Sequence, residues 1–327
     1  MTRGSSLNEA AHVPTVCLIG GSGFVGRHVA NLLCTQGVAL RIPTRRRELA
    51  KSELIVLPNT EVIEANIDDA EVLARLVAGC EAVVNLVGIL HEKSKGDFRR
   101  VHAELPRKIV DACRTKGVPR LVHVSALNAA HDASSEYLRS KAAGEQQIRA
   151  AQPSGVQTTI FRPSVIFGRD DAFLNLFARL ARLSPVIPLG CPNARFQPIY
   201  VDDVARAIAT CLGKPQTFAR TFELCGPKTY RLQELVSYAC SIRGLRRLII
   251  PLSPGMTQLQ AFFLEHLPGK LMTRDNVRSM QVDSVCGCAF PEALGFDPSA
   301  MEAVAPLYLA KNAQASRLNR YRIRANR

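Results

Sequence analysis

The sequence predicts an α/β protein built on a doubly wound parallel sheet, with a smaller C-terminal lobe. Three observations predict it. Short β-branched apolar runs alternate with helix-patterned segments through the first half of the chain, and parallel neighbours need crossovers that helices usually supply. A glycine cluster, "GGSGFVG" over residues 20–26, follows the first apolar run and opens the first helical pattern. After Phe167 the alternation gives way to proline-rich connections and amphipathic helices, which marks a second, smaller body.

The strand candidates, in order, are "TVCLIG", "ALRIPT", "EVIEAN", "EAVVNLVG", "RLVHVSA" and "QTTIFRPS". Helices fit "FVGRHVANLLCTQG", "DDAEVLARLVAGC", "ELPRKIVDACRTKG" and "SSEYLRSKAAGEQQIRAA" between them. Gly37, Gly79 and Gly117 stand where a helix C-cap needs left-handed backbone. In "DAFLNLFARLARL" one apolar stripe, Phe173, Leu176, Phe177, Leu180 and Leu183, predicts a helix packed on a core. These patterns give an N-terminal tail (1–12), an α/β domain (13–167) to which 199–226 returns, a lobe from 168–198 and 227–310, and a basic tail (311–327).

A chain of 327 residues can bury a sizeable core, and 47% hydrophobic with 21% charged residues is ordinary globular usage. The net charge of +14 draws six units from residues 311–327, which hold no acid. That tail reads as a solvated end, the alternative being contact with lipid headgroups or an acidic partner. No aromatic-interleaved basic motif accompanies the charge, so nucleic acid is not an expected partner. Ten cysteines show no paired metal-ligand spacing and predict no metal. "MTRGSSLNEAAHV" lacks a signal-peptide apolar run, so a cytoplasmic location with reduced thiols is expected. "LIIPLSPGMTQLQAFFL" (248–264) is broken by Pro251, Pro254 and Gly255 and is short for a bilayer span. It reads as a packed lobe segment; peripheral membrane contact stays open because "RGLRR" precedes it.

The glycines acquire a mechanism from their place between strand and helix. Gly20 permits a tight turn, Gly23 lets the backbone approach a pyrophosphate, and Gly26 lets the helix pack closely on the strand. Amide groups of Ser22, Phe24 and Val25 then lie at a helix N-terminus suited to an anion. The fold expected around such a turn is the Rossmann type. An acidic residue about 20 residues on would bind the ribose 2′-hydroxyl of NAD, but the second strand ends in Thr44, Arg45, Arg46 and Arg47. Guanidinium groups suit a 2′-phosphate, so NADP(H) is preferred; NAD(H) remains the alternative if these arginines merely point into water. Asn66 and Ile67, after the third strand, are placed to meet the adenine; Leu86, Val87 and Gly88, after the fourth, would approach the adenine ribose and the nicotinamide side.

Tyr137 and Lys141 form Y-x-x-x-K, one turn apart on one helix face. A nearby ammonium favours the phenolate, so Tyr137 would exchange a proton with a substrate oxygen, and Ser125 at the end of the fifth strand would donate to the same oxygen. His123 reads as a core histidine and His91 as a loop residue; Asp202, Asp203, Asp170 and Asp171 read as helix caps.

Behind a glycine turn, Y-x-x-x-K resembles the short-chain dehydrogenase/reductase superfamily. "RPSVIFG" (162–168), which adds Arg162 and Pro163 to the cofactor-side residues, and "IYVDDVA" (199–205) resemble its extended and atypical branches. From about residue 16 to 309, "GGSGFVGRHV", "NLVGIL", "SALNA", "EYLRSKAAGE", "RPSVIFGRDDAFLN", "PIYVDDVA" and "TRDNVRSM" are similar to the NADPH-binding accessory subunits of respiratory complex I and their bacterial relatives. The resemblance implies bound NADPH, association with complex I or another inner-membrane complex on its cytoplasmic face, and weak or no turnover. Active extended enzymes commonly carry a second Ser or Thr just after the strand-end serine, where this chain has Ala126 and Leu127. The alternative is a soluble NADP-dependent reductase, dehydrogenase or epimerase that uses Tyr137 and Lys141 on a small hydroxyl or carbonyl substrate.

Overall fold

The computed structural model describes residues 13–48, 54, 56–267 and 270–310. Its first half alternates as the runs predict: β1 (Thr15–Ile19), α1 (Phe24–Thr35), β2 (Ala39–Thr44), β3 (Thr60–Glu64), α2 (Ala70–Val77), β4 (Ala82–Asn85), α3 (Leu105–Lys116), β5 (Arg120–Val124), α4 (Glu136–Arg149) and β6 (Gln157–Pro163). The remainder contributes β7 (Ile166–Phe167), α5 (Leu174–Leu183), β8 (Val186–Leu189), β9 (Arg195–Phe196), β10 (Ile199–Tyr200), α6 (Val201–Leu212), β11 (Arg220–Leu224), β12 (Tyr230–Arg231), α7 (Leu232–Ile242), β13 (Leu248–Pro251), α8 (Pro254–His266) and α9 (Arg274–Ser279).

Seven strands form one parallel sheet in the order β11-β6-β5-β4-β1-β2-β3. The chain leaves β1 for β2 and β3 on one side and returns through β4 to β6 on the other, so the order reverses between β1 and β4. Ligands of open α/β sheets bind outside the strand C-termini at such a switch point. Central strands read as unbroken apolar runs because both faces are covered. On one face Val29, Ala30 and Leu33 of α1 meet Val204 and Ile208 of α6; on the other, Leu73 and Val77 of α2 pack with Ile109 and Cys113 of α3.

A separate cluster built on Phe167, Leu174, Leu235 and Val236 holds the lobe. The α5 stripe sits one position round from expectation. Leu174, Ala178 and Ala181 are buried, while Leu183 is 82% exposed, because the small alanines allow the close contact with α7. The expectation of uniformly reduced thiols is also corrected. Cys225, just past β11, and Cys286 have Cα atoms 6.0 Å apart and form a disulfide. The C-x-C spacing of Cys286 and Cys288 hid this long-range pairing; Cys17, Cys34, Cys80, Cys113, Cys211 and Cys240 are free and buried, as small apolar side chains. Among the described residues no helix is long and apolar enough to cross a membrane.

Candidate functional site

The glycine turn has the geometry its spacing predicts. Gly20 lies at φ +86, and a Cβ there would meet Leu86 C and Val87 N at 3.1 Å. A Cβ on Gly26 would collide with Gly20 O, so α1 packs against the turn only with glycine at that position. Gly23 caps α1 from extended backbone with no side-chain cap, and the first turn carries no acid. Its amides are therefore left to an anion, and the turn fits a dinucleotide's pyrophosphate. Phe24 and Val25 form the first helical residues beside it.

At the end of β2, Thr44 Oγ1 accepts from Ser22 Oγ (3.4 Å) and from Arg46 N (3.4 Å), which ties the arginine segment to the glycine turn. Arg45, Arg46 and Arg47 are all exposed there. Arg47 N donates to Glu64 on the neighbouring strand end (3.3 Å). Asn66 turns the chain after β3, accepting from Asp68 N (3.1 Å), and borders an open groove of about 500 Å³. Ile67 packs into the core cluster beneath.

Ser125 directly follows β5, and Lys141, one turn past Tyr137 on α4, reaches the end of the same strand. Lys141 Nζ donates to Val124 O (2.8 Å), and a Cβ added to Gly88 would lie 3.8 Å from that ammonium. Ser125 is 4% exposed, and its Oγ has no hydrogen-bond partner among the described residues. Burial pushes the Tyr137 phenol up to about 12 and the Lys141 ammonium down to about 8. Burial thus favours the neutral phenol, which leaves Tyr137 able to donate a proton at neutral pH.

Sequence reasoning missed the group that positions Tyr137. Arg100–Glu104 forms a π-helical turn ahead of α3 and delivers His102 into the interior. His102 Nε2 accepts from Ile89 N (3.0 Å), Nδ1 lies 2.8 Å from Ser140 Oγ, and Ser140 Oγ donates to Tyr137 O (2.7 Å). Acceptance at Nε2 assigns the proton to Nδ1, and burial drives the His102 pKa down to about 2, so the ring stays neutral. Its ring meets the Tyr137 ring edge-on at 5.6 Å. Gly144 makes the approach possible, since a Cβ there would overlap His102 O. A lone histidine in a helical pattern gives little sign of these partners, which lie 13 and 38 positions away in sequence.

The lobe closes over the same helix. Asp275 Oδ1 accepts from Glu136 N (2.7 Å) and Oδ2 from Tyr137 N (3.0 Å), capping α4 together with Ser135 Oγ on Leu138 N. Ser134 Oγ donates to Arg278 O (3.0 Å), and Asn276 Nδ2 to Leu90 O (3.3 Å). Thr273 and Asn276 form a capping box that shapes α9 for this contact. "TRDNVRSM" is therefore the segment that bridges the loop after β4 to the helix carrying Tyr137.

Other expectations need correction. Arg162, expected on the cofactor side, donates Nε and Nη2, each at 2.7 Å, to the buried Glu145 carboxylate, which also takes Arg149. Pro163 ends β6 buried, its carbonyl accepting from Leu127 N. Asp202 and Asp203 lie in the first turn of α6 but cap nothing; Asp202 holds His28 and Tyr200, and Asp203 holds Ser299. Asp171 does cap α5, accepting from Phe173 and Asn175 amides, and also takes the Tyr308 hydroxyl. Asp170 instead pairs with Arg27 at 3.5 Å. His123 is a core histidine satisfied at one nitrogen, by Asn85, and His91 is a loop residue.

Comparisons with known proteins identify the family and the fold. A complex I subunit of Mus musculus, NADH dehydrogenase [ubiquinone] 1 alpha subcomplex subunit 9, is 33% identical over 316 residues, covering 92% of this chain and 80% of that protein. A ceramide reductase of Caulobacter vibrioides is 34% identical over 200 residues, 60% of each chain. The UDP-glucose 4-epimerase structure from Thermotoga maritima superposes with a TM-score of 0.72 at 17% identity, covering 93% of this chain and 99% of that one, a likeness of fold. Residues 16–225 match the NAD-dependent epimerase/dehydratase model, so the chain belongs to the NAD-dependent epimerase/dehydratase family.

Proposed function

We propose that the protein is an NADP(H)-retaining partner of respiratory complex I or a quinone-related membrane complex, with weak or no turnover. The observation that carries this reading is the Asp275 bridge. A lobe segment fastened to the first turn of the Tyr137 helix favours a cofactor held for long periods over one exchanged at each cycle. The exposed arginines after β2 support a 2′-phosphate, and the likeness to a complex I subunit over 92% of the chain supports the partner. The test is tagged purification from native membranes, followed by nucleotide analysis and identification of companions. Stoichiometric NADPH with complex I subunits is expected; nucleotide-free protein without respiratory companions would overturn the reading.

A second reading, an NADPH-dependent carbonyl reductase, is favoured by the unpartnered Ser125 hydroxyl and by a Tyr137 phenol that burial keeps protonated. Bound NADPH would supply hydride. Ser125 Oγ would hold the substrate oxygen, Tyr137 Oη would donate its proton, and Lys141 would keep the adjoining backbone and charge in place. The ceramide reductase relative supports the direction of reduction. NADPH oxidation that depends on an added ketone and disappears in Tyr137→Phe would move this reading to the front.

A further inference from the structure

Most amphipathic helices turn their apolar stripe inward, and α8 does the opposite. Thr257 and Ala261 are the residues it buries, while Met256, Leu259, Phe262 and Phe263 are 57%, 57%, 44% and 62% exposed. Their spacing of three and four residues makes one continuous outward stripe. Leu248 (61% exposed) and Ile250 (42% exposed) of β13 just before the helix, and Leu267 and Leu271 after it, are exposed as well. Exposed large apolar side chains scattered singly are normal, but eight of the described chain's fourteen fall between residues 248 and 271. A concentration of that kind marks an interaction surface. The expectation that this segment is packed holds only for its inner edge.

The charge around the stripe selects the occupant. Residues 243–274 carry Arg243, Arg246, Arg247, Lys270 and Arg274 against one acid, Glu265, a net charge of +4; Arg274 pairs with that acid at 2.7 Å, Arg247 Nε donates to Ala181 O, and Lys270 Nζ donates to Glu92 O. The Arg274 guanidinium stands 5.4 Å over the Phe262 ring, so cation and apolar stripe face the same side. The basic residues 311–327 add charge of the same sign without an acid. A protein partner's apolar patch would not call for a cationic rim of this kind; an anionic headgroup layer above hydrocarbon calls for both. We propose that the outward stripe of α8, with Leu248 and Ile250 of β13, docks on an anionic phospholipid bilayer. Docking would place the membrane beside α9, and hence beside the bridge over Tyr137, because Glu265 of α8 also accepts from Arg274 N at the start of α9. The surface is independent of whether cofactor is retained or turned over.

The chain holds no tryptophan, so Phe263→Trp places a single fluorophore on the stripe of the full-length protein. With vesicles containing phosphatidylglycerol its emission should shift to the blue and be quenched by lipids brominated in the acyl chain; phosphatidylcholine vesicles should give a much weaker response. Leu259→Ser/Phe262→Ser/Phe263→Ser should reduce cosedimentation with the anionic vesicles by more than tenfold, while NADPH content and thermal stability stay at wild-type values because the three positions face outward. Leu183→Ser, elsewhere on the surface, should change nothing. Undiminished vesicle binding by the triple variant, or binding that high salt abolishes completely, would assign attachment to basic charge alone and overturn the proposal. A stripe-dependent dimer in light scattering with no vesicle binding would overturn it in favour of a second copy of the chain. Loss of NADPH or of complex I companions in the wild type would count against the proposed function and leave this surface untouched.

Discussion

Removing the carboxylate of Asp275 isolates the link between the lobe and the Tyr137 helix. Asp275→Ala deletes two charge-assisted bonds, 2.7 Å to Glu136 N and 3.0 Å to Tyr137 N, from a side chain only 17% exposed. Loss of an N-terminal cap costs about 0.5–2 kcal/mol, and loss of a negative charge from the positive end of the helix about 0.3–1 kcal/mol more. The freed amides lie near the surface and regain water, which keeps the total near 2 kcal/mol rather than the sum of two buried charged bonds. Ser135 Oγ still serves Leu138 N, so α4 itself survives. Melting should fall by about 3 °C, about 1.5 °C per kcal/mol following from an unfolding entropy of about 2.1 cal/mol/K per residue over 327 residues. NADPH release, followed by fluorescence after dilution into excess NADP, should accelerate. Asp275→Asn keeps one acceptor and should fall between. A melting point within a degree of wild type together with unchanged release would refute the bridge as the element that retains cofactor.

Three further outcomes follow from the site. His102 is neutral when folded, with its pKa driven down to about 2, whereas the unfolded chain binds that proton below about 6.5; stability should therefore fall as pH drops from 6.5, by up to about 1.4 kcal/mol per pH unit from this residue. Urea titrations at pH 7 and pH 5 should show a smaller loss in His102→Asn, and equal losses would contradict the buried neutral ring. Arg45→Ala with Arg46→Ala should weaken NADPH by at least tenfold in calorimetry and leave NADH unchanged; a uniform effect would remove the 2′-phosphate assignment. Gly26→Ala, which drives a Cβ into Gly20 O, should abolish nucleotide binding, and near-native affinity would show that the turn does not hold the pyrophosphate.

What the sequence made legible and what it hid divide along one line: local patterns survive and long-range juxtapositions do not. The six leading strands, the glycine turn and Y-x-x-x-K are each set by residues within a few positions of one another, and the structure keeps them. Arg162 looked like a cofactor residue because "RPS" ends a strand at the right edge, but the choice of Glu145 as its partner depends on how α4 crosses β6. The Cys225–Cys286 bond spans 61 positions, and only the folded lobe brings its ends together. His102 was hidden for another reason: it lies at helical spacing with buried Phe98, Leu105 and Ile109, but the groups it meets there, Ile89 N and Ser140 Oγ, are set by tertiary packing. The sequence displays Lys141 one turn from Tyr137 but not the burial that raises the phenol and lowers the ammonium. The outward stripe of α8 shows the same division from the other side. Its apolar residues were plain in the sequence, but which face they occupy was decided by Thr257 and Ala261, the two small residues that let the helix lie close to the lobe and so turn the large ones out.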